Sequence, residues 1–341
     1  MSSVLAPLPA PPSHYREPLL VGGVVLASRF TLAPLAGYTN YPFRRSVREI
    51  GGVGLCTTDL VNARAVLEKS KKTLELLVTG ADDRPLSVQI FGGNAAELAG
   101  AAKWLEGYGA DFIDINMGCP VRKVVRVGGG SAMMCDTTGA TVKLVEQVVQ
   151  AVSIPVTVKM RLGWDDDNLT APHFAREFER IGVAAVTIHG RTREQGFHGV
   201  INPAGIRAVV EAVERIPVIG NGDVTSPEAA LRMLRETGCR GIMVARGALR
   251  DPWLVRDIWQ ALRGLPPLPV PSRADRILLL LDQFERSILH YDEKHAVAIF
   301  RRWIPELSKK LELGKETMLR LLRIAEIEEM RRTLAELAGM G

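Results

Sequence analysis

The sequence contains few of the residues that form disulfides, bind zinc or cross membranes. It has four cysteines among 341 residues, at positions 56, 119, 135 and 239, and no two of them form a CxxC pair. This spacing excludes a disulfide framework and a cysteine-based zinc site, and it is typical of a reducing, cytoplasmic compartment. The longest unbroken apolar stretch near the N-terminus, residues 19–27, includes two glycines and follows no basic segment. Such a stretch is too short to span a bilayer and does not resemble a signal peptide.

Aromatic residues make up only 6% of the chain, the formal net charge is only +5, and two common nucleotide-binding motifs are missing. Without GxGxxG or GxxxxGK[ST], neither a Rossmann dinucleotide site nor a P-loop is expected. The weak positive charge allows a polyanionic partner but does not require one. With 47% hydrophobic and 24% charged residues, the chain is long enough to bury a sizeable globular core.

What the sequence does contain is a repeated alternation of short apolar runs and helical segments. Residues 1–18 carry five prolines and are predicted to be a flexible tail outside the fold. Eight Val- and Ile-rich runs follow, separated by segments with helical periodicity such as 95–108, 139–152 and 228–237. The runs are residues 30–35, 53–58, 86–91, 112–116, 156–160, 185–189, 217–220 and 241–245. Eight βα units with such runs predict an α/β protein with a closed (β/α)8 TIM barrel over residues 19–264.

The chain after the eighth unit has a different composition. A proline-rich linker, residues 265–271, precedes three segments with helical periodicity, at 277–288, 296–311 and 318–337. We therefore predict a small all-helical C-terminal domain over residues 265–341. Between positions 294 and 310 five basic residues face a single acid. On charge alone, an ordinary solvated helix face explains this cluster better than a phosphate-binding surface does.

Barrel enzymes place their active sites at the C-terminal ends of the strands, and every run but the second supplies a clear polar residue there. Lys159 lies within the fifth run, and because an unpaired buried ammonium is costly, it is interpreted as functional. The alternative is a structural lysine paired with Asp114 or another carboxylate. His189, at the end of the sixth run, is equally consistent with an ordinary core histidine.

Two further features of these loops point to a ligand. Glycine-containing turns at 220–223 and 246–248 follow the last two runs, where many barrels bind a phosphate group, although such glycines also suit tight turns. A mononucleotide cofactor across the barrel mouth is therefore expected. Cys119 lies in a loop that continues through basic and glycine-rich residues 122–131. Its thiol could donate a proton or act as a nucleophile. The other three cysteines are interpreted as packing residues.

Seven segments in order along the barrel closely resemble the tRNA-dihydrouridine synthase family. They are 33–44 (APLAGYTNYPFR), 88–93 (VQIFGG), 114–134 (DINMGCPVRKVVRVGGGSAMM), 156–167 (VTVKMRLGWDDD), 187–199 (TIHGRTREQGFHG), 217–230 (PVIGNGDVTSPEAA) and 243–253 (MVARGALRDPW). The INMGCP loop is the most specific of them. The resemblance implies a flavin-binding barrel followed by a helical tRNA-binding domain.

The resemblance also implies an activity. The protein would be an FMN-dependent oxidoreductase that takes hydride from NADPH, or NADH, and reduces the C5–C6 double bond of a uridine in tRNA. The uridine must leave the base stack to reach a barrel mouth, so the basic residues 122–126 and 294–310 become candidate phosphate contacts. The expected partners are tRNA and NADPH, with no metal and no membrane, and we expect a monomer.

Individual roles follow from the resemblance position by position. The residues that would bind the cofactor are Pro34, Leu35, Ala36, Gln89, Lys159, His189, Asn221, Gly222, Asp223, Ala245 and Arg246. The residues that would bind the substrate are Asn116 and Arg161 at the uracil and Arg301 and Arg302 at the tRNA backbone. Cys119 would be the general acid that protonates C5, and Lys159 would stabilise negative charge at the polar edge of the flavin. Two positions depart from the family pattern, since Leu35 stands where Met is usual and Ala245 where Gly is usual.

Three other interpretations compete with this one. A dihydroorotate-dehydrogenase-like oxidoreductase acting on a free pyrimidine would have no use for the helical domain. A non-catalytic, tRNA-binding folding factor would not need Lys159, Cys119 and Asn116 intact. A sugar-phosphate isomerase would lack flavin absorbance, which a purified yellow protein would show.

Overall fold

The structure is a computed structural model and describes residues 12–307 and 310–340. Its strands are β1 (Leu19–Val21), β2 (Val24–Leu26), β3 (Phe30–Leu32), β4 (Leu55–Thr57), β5 (Val61–Asn62), β6 (Leu86–Phe91), β7 (Phe112–Met117), β8 (Val156–Arg161), β9 (Ala185–His189), β10 (Val218–Asn221) and β11 (Gly241–Val244). Strands β3, β4 and β6 to β11 pair in parallel, and the pairing of β11 with β3 closes the ring. The predicted TIM barrel is confirmed, with one strand in each of the eight predicted runs.

Among the described residues, eleven helices accompany the barrel strands, and a side chain caps the start of six of them. They are α1 (Tyr41–Ile50), α2 (Ala63–Leu67), α3 (Lys71–Leu76), α4 (Ala95–Tyr108), α5 (Arg122–Val125), α6 (Ala140–Ala151), α7 (Ala171–Arg180), α8 (Pro203–Ala212), α9 (Pro227–Thr237), α10 (Arg246–Arg250) and α11 (Leu254–Leu262). Asn94 accepts a hydrogen bond from the Glu97 N–H at the start of α4, and Ser226 accepts one from the Ala229 N–H at the start of α9. These side chains satisfy N–H groups that have no partner within the helix.

The end of the barrel opposite the strand C-termini is closed by the β1–β2 hairpin. Leu19, Val21 and Leu26 are buried against the first residues of barrel strands, including Phe112 and Ala185. Apolar side chains from the hairpin therefore seal this end, and the strand C-termini form the barrel's open mouth.

The predicted tail needs a correction at its C-terminal part. Residues 12–18 pack against the barrel, with a short 3-10 helix at Ser13–Arg16 and Tyr15 only 4% exposed. The buried Arg29 side chain donates to the carbonyl oxygens of His14 and Tyr15. Proline content predicted mobility here, but one aromatic ring and one guanidinium are enough to order this segment. Residues 1–11 lie outside the described residues.

The C-terminal region is helical, as predicted, but two of the three predicted helices are each divided into two shorter ones. Its helices are α12 (Arg273–His290), α13 (Glu293–Arg301), α14 (Trp303–Leu307), α15 (Lys315–Arg323) and α16 (Ile327–Ala338). The segment predicted as one helix at 296–311 breaks at Arg302, because Pro305 has no N–H to bond the carbonyl four residues earlier. The segment 318–337 breaks at Ile324, which adopts an extended conformation and buries its side chain. None of the helices in the described part of the chain combines the length and the hydropathy that a membrane span needs.

Trp303 joins the helical region to the barrel. Its side chain is 1% exposed, and its ring centroid lies 4.3 Å from that of Phe43 and 5.3 Å from that of Tyr38. Both partners lie in the segment after β3 that leads into and includes α1. One buried tryptophan therefore fixes α14 against the loop that follows the first barrel strand.

Substitutions of Trp303 test how much its buried ring contributes to the free energy of unfolding. We expect Trp303→Ala to lower the free energy of unfolding by about 3–5 kcal/mol, the usual cost of removing a large buried aromatic side chain. Trp303→Phe keeps an aromatic ring against Phe43 and should cost clearly less. Urea unfolding followed by circular dichroism measures both. A loss below about 1 kcal/mol for the alanine variant would mean that this contact does not hold the two regions together.

Candidate active site

A cavity of about 390 Å³ opens at the C-terminal ends of the barrel strands. Every barrel residue that the sequence predicted for the site lines it. These residues are Pro34, Leu35, Ala36, Gln89, Asn116, Cys119, Lys159, Arg161, His189, Asn221, Gly222, Asp223, Ala245 and Arg246. They come from positions far apart in the chain, and the parallel closure of the barrel brings them to one mouth. We call this space the inner cavity.

Lys159 points into the inner cavity without a carboxylate partner. Its Nζ donates a hydrogen bond to Asn221 Oδ1 at 3.1 Å, and Asn221 Nδ2 donates to the Met243 carbonyl at 2.8 Å. Among the described residues Lys159 forms no direct salt bridge, although the carboxylate of Asp114 is near enough to favour its charged form. Burial, followed by the charge of Arg161, lowers the pKa of Lys159 to about 8.

His189 is held in its neutral form. Burial, reinforced by the charges of Lys159, Arg161 and Arg191, lowers its pKa far below the usual range. Arg191 Nη1 lies 3.4 Å from His189 Nε2, and a guanidinium can only donate, so this nitrogen presents its lone pair. The imidazole therefore supplies a polar wall without adding charge.

Arg191, to which the sequence analysis gave no role, does not line the inner cavity but binds a residue that does. Its guanidinium is 2% exposed and donates to both carboxylate oxygens of Asp223, at 2.7 and 2.9 Å. It also donates to the carbonyl oxygens of His198 at 3.0 Å and Gly199 at 2.6 Å. Arg246 lies 3.9 Å from the same carboxylate. The Asp223 carboxylate is therefore already paired with Arg191, and its negative charge is neutralised without a ligand.

The turn after β10 requires glycine at position 222. Its φ of +123° disfavours other residues, and a Cβ there would lie 2.5 Å from Ile201 Cγ2 and 3.1 Å from His189 Cδ2. Ala245, at one of the two departures, has a negative φ of −114° and lines the inner cavity. Leu35, the other departure, also lines the cavity wall.

The Cys119 loop is held by the two residues that were predicted to contact the uracil. Asn116 Oδ1 accepts hydrogen bonds from the backbone N–H groups of Gly118 at 3.3 Å and Cys119 at 2.9 Å. Arg161 Nε donates to the Gly118 carbonyl at 2.8 Å. Burial raises the pKa of the Cys119 thiol, so it is protonated at neutral pH. Cys135, by contrast, is exposed and not the packing residue that the sequence predicted.

A second and larger space of about 840 Å³ adjoins the inner cavity. We call it the groove. Barrel loops, helix α13 and the residues Tyr291 and Arg302 on either side of it contribute to its wall, and Cys119 borders both spaces. Its basic lining residues include Lys123, Arg126 and Arg302. The thiol therefore stands between an inner space at the barrel mouth and an outer, positively charged one.

Asp59 is a second residue that the sequence analysis missed. It follows β4, lines the groove and is 3% exposed. Its carboxylate accepts hydrogen bonds from the Gly37 N–H and the Thr39 hydroxyl, both at 3.1 Å, while burial raises its pKa. The second run thus ends in a polar residue like the others, which corrects the expectation that it has none. The acid directly after the run was the available signal.

The basic residues of the cluster at 294–310 have different surroundings in the structure. Arg302 is exposed and lines the groove, whereas the neighbouring Arg301 donates to the Leu322 carbonyl at 3.2 Å and ties α13 to α15. Lys310 pairs with Asp251 at 3.2 Å, and Lys309 lies outside the described residues. Of the two arginines predicted to contact tRNA, only Arg302 faces the space that a large ligand could enter.

Similar folds occur among solved structures. The old yellow enzyme from Trypanosoma cruzi aligns with a TM-score of 0.55 and 13% identity, covering 82% of this chain and 97% of that one. A structure titled as a variant of NCR from Zymomonas mobilis aligns with a TM-score of 0.54 and 14% identity over 75% of this chain and 93% of that one. At such identities the likeness concerns the barrel fold alone.

Sequence comparison is more specific. The family model described as "Dihydrouridine synthase (Dus)" matches residues 31–337. A probable tRNA-dihydrouridine synthase of Rickettsia conorii is 41% identical over 285 residues, which is 83% of this chain and 85% of that protein. The tRNA-dihydrouridine synthase B of Pseudomonas aeruginosa is 38% identical over 284 residues, or 83% and 85%. The match extends through the barrel mouth, the groove and most of the helical region, and the chain therefore belongs to the dihydrouridine synthase family.

Proposed function

We propose that this protein is an FMN-dependent tRNA-dihydrouridine synthase, which uses NADPH or NADH to reduce the C5–C6 double bond of a uridine in tRNA. The observation that carries the proposal is the position of Cys119 between the inner cavity and the groove. A protonated thiol there can reach a base that enters from the groove while a flat cofactor fills the inner cavity. The names of the relatives support the substrate.

The inner cavity has the chemistry that FMN requires. Pro34, Leu35 and Ala36 form an apolar wall against which a flat ring can lie. Lys159 and Arg246 provide positive charge, and the size of the cavity is within the usual range for small-molecule sites. FMN has an apolar ring face, a polar ring edge and an anionic phosphate. The apolar wall suits the ring face, and the two cations suit the polar edge and the phosphate.

The residues at the thiol determine what the chain itself contributes to the reaction. FMN bound in the inner cavity would supply hydride to C6 of the uracil. The chain must then deliver a proton to C5 from the opposite face, and the thiol of Cys119 at that border is protonated, because burial raises its pKa. Lys159 places a cation at the cavity wall, where it would stabilise negative charge on the polar edge of a bound flavin.

The groove accounts for a macromolecular substrate. A uridine stacked within tRNA must be extruded to reach Cys119, and the energy for unstacking must come from contacts elsewhere on the tRNA. Lys123 and Arg126 from the barrel and Arg302 from the helical region lie along the same groove. An enzyme of a free pyrimidine would not need a cationic groove that extends to a second domain.

Removing the thiol tests the assignment of the acid. We expect Cys119→Ala to bind FMN and to oxidise NADPH normally but to lose about 10²–10⁴-fold in dihydrouridine formation, the usual contribution of a positioned general acid. The matched control is Cys135→Ala, which removes an exposed thiol and should leave the rate unchanged. Dihydrouridine formation on one purified tRNA is the measurement. A rate near that of the wild type for Cys119→Ala would falsify the assignment.

Removing the charge of Lys159 tests its role at the cofactor. We expect Lys159→Met to lose about 2.7–4 kcal/mol of transition-state stabilisation, by analogy with the loss of one oxyanion donor. In the wild type, FMN affinity should fall as pH rises through about 8, because the ammonium then loses its proton. The fall should be absent in Lys159→Met and present in the surface control Lys143→Met. An unchanged rate at full flavin occupancy contradicts this role.

The charge of the groove predicts how tRNA binding depends on salt. Substituting Arg126 and Arg302 together by Gln should weaken binding about equally for different tRNAs. The slope of log K against log [salt] should flatten by about 0.7–0.9 per lost phosphate contact. Arg176 and Arg232, exposed on α7 and α9, form the control pair and should leave the slope unchanged. If the groove pair leaves both slope and affinity unchanged, the groove does not hold the tRNA backbone.

A further inference from the structure

A series of hydrogen bonds runs from the interior of the barrel to the Cys119 loop. It begins at Asp114 on β7, which is 3% exposed and does not line the inner cavity. Gln89 on β6 lies opposite Asp114 in the parallel register. Asn116 follows Asp114 by two residues, so both side chains are on the same side of β7.

Each step of the series is a direct hydrogen bond. Asp114 Oδ2 accepts from Gln89 Nε2 at 2.5 Å, and Gln89 Oε1 accepts from Asn116 Nδ2 at 2.8 Å. Asn116 Oδ1 then accepts from the Cys119 backbone N–H at 2.9 Å. The other oxygen of Asp114 accepts from the Thr157 hydroxyl at 2.6 Å. A buried carboxylate is thus linked to the backbone of the thiol through two amide side chains.

The direction of every bond in this series is fixed from both ends. At one end the backbone N–H of Cys119 can only donate, so Asn116 must present its oxygen there and its NH2 group to Gln89. At the other end an ionised carboxylate can only accept, so Gln89 must present its NH2 group to Asp114. Rotating either amide by 180° would oppose two donors or two acceptors. The carboxylate and the Cys119 N–H therefore favour the same orientation of both amides, and the loop is linked to the barrel interior in that orientation.

We propose that Asp114 is a positioning residue that fixes the Cys119 loop, acting through Gln89 and Asn116. This inference deepens the proposed function, because it states how the thiol is held in place. Burial raises the pKa of Asp114, while its hydrogen bonds from Thr157 and Gln89 and the charge of Lys159 favour the ionised form. Without the carboxylate, the Gln89 NH2 group loses its acceptor, and the Gln89–Asn116 bond is no longer held from the barrel side.

The series also limits what Asn116 can recognise. Both lone pairs of its oxygen are occupied by the N–H groups of Gly118 and Cys119, and one of its two N–H bonds is occupied by Gln89. One amide hydrogen remains, so Asn116 can donate to a ligand but cannot accept from it. A ligand that contacts Asn116 must therefore present an acceptor, such as a carbonyl oxygen.

The test measures the position of the thiol rather than turnover. The full-length protein, saturated with FMN, is treated with iodoacetamide, and the rate of Cys119 alkylation is followed by peptide mass spectrometry. Cys135 serves as an exposed internal reference in each sample. We expect Asp114→Leu to alkylate Cys119 about five-fold faster, the change in open-loop population that loss of one ordinary hydrogen bond produces. The Cys135 rate should not change.

Matched variants distinguish positioning from charge and from general loosening. Asp114→Asn removes the charge but keeps an oxygen for Gln89, so its Cys119 rate should stay within about two-fold of the wild type. Thr157→Val removes the bond that lies outside the series and should have no effect. Asn116→Ala should raise the rate by itself, and adding Asp114→Leu should raise it no further, because both act through one path.

Three results would overturn the proposal. The first is a wild-type Cys119 rate in Asp114→Leu, and the second is equal acceleration in Asp114→Asn and Asp114→Leu, which would indicate a charge effect. The third is a full additional acceleration when Asp114→Leu is combined with Asn116→Ala. If Asp114→Leu does not fold, Gln89→Leu cuts the next bond and should accelerate alkylation equally. Because labelling needs no turnover, these results stand whether or not Cys119 proves to be the general acid.

Discussion

The structure of the site depends on an excess of positive charge buried at the barrel mouth. Lys159 and Arg161 lie in the wall of the inner cavity, and the carboxylate of Asp223 is already paired with the buried Arg191. Burial and mutual repulsion lower the pKa of Lys159 to about 8, lower that of Arg161 to about 10 and keep His189 neutral. A cavity in this state gains most from a bound anion, because an anion provides the missing counter-charge in a poorly solvated space.

The same constraint explains why so few of these side chains are free. Arg161 donates from Nη1 to the carbonyl oxygens of Thr192 and Gly196, in addition to its Nε bond to Gly118. A buried guanidinium must satisfy its N–H groups, and backbone carbonyls of the surrounding loops provide the acceptors. The loops are consequently held by the cations that a ligand will meet, and the site is organised before binding.

Much of the fold was predictable from the sequence because each barrel strand is a short apolar run that needs only its own residues to be recognised. The break at Arg302 had a local signal in Pro305, but the break at Ile324 had none, since it depends on burying one side chain against other helices. The site residues were predictable where a strand ended in an unusual polar residue. Their partners were not, because the pairing of Arg191 with Asp223 joins residues 32 positions apart.

Neighbouring residues also took roles that no sequence pattern could separate. Arg301 and Arg302 have the same chemistry, yet consecutive residues on a helix point about 100° apart. Trp303 is buried against Phe43, and this contact fixes the rotation of the chain at the junction of α13 and α14. With that rotation set, Arg301 faces the Leu322 carbonyl and Arg302 faces the groove. The packing of one aromatic ring thus decides which of two adjacent arginines is available to a polyanion.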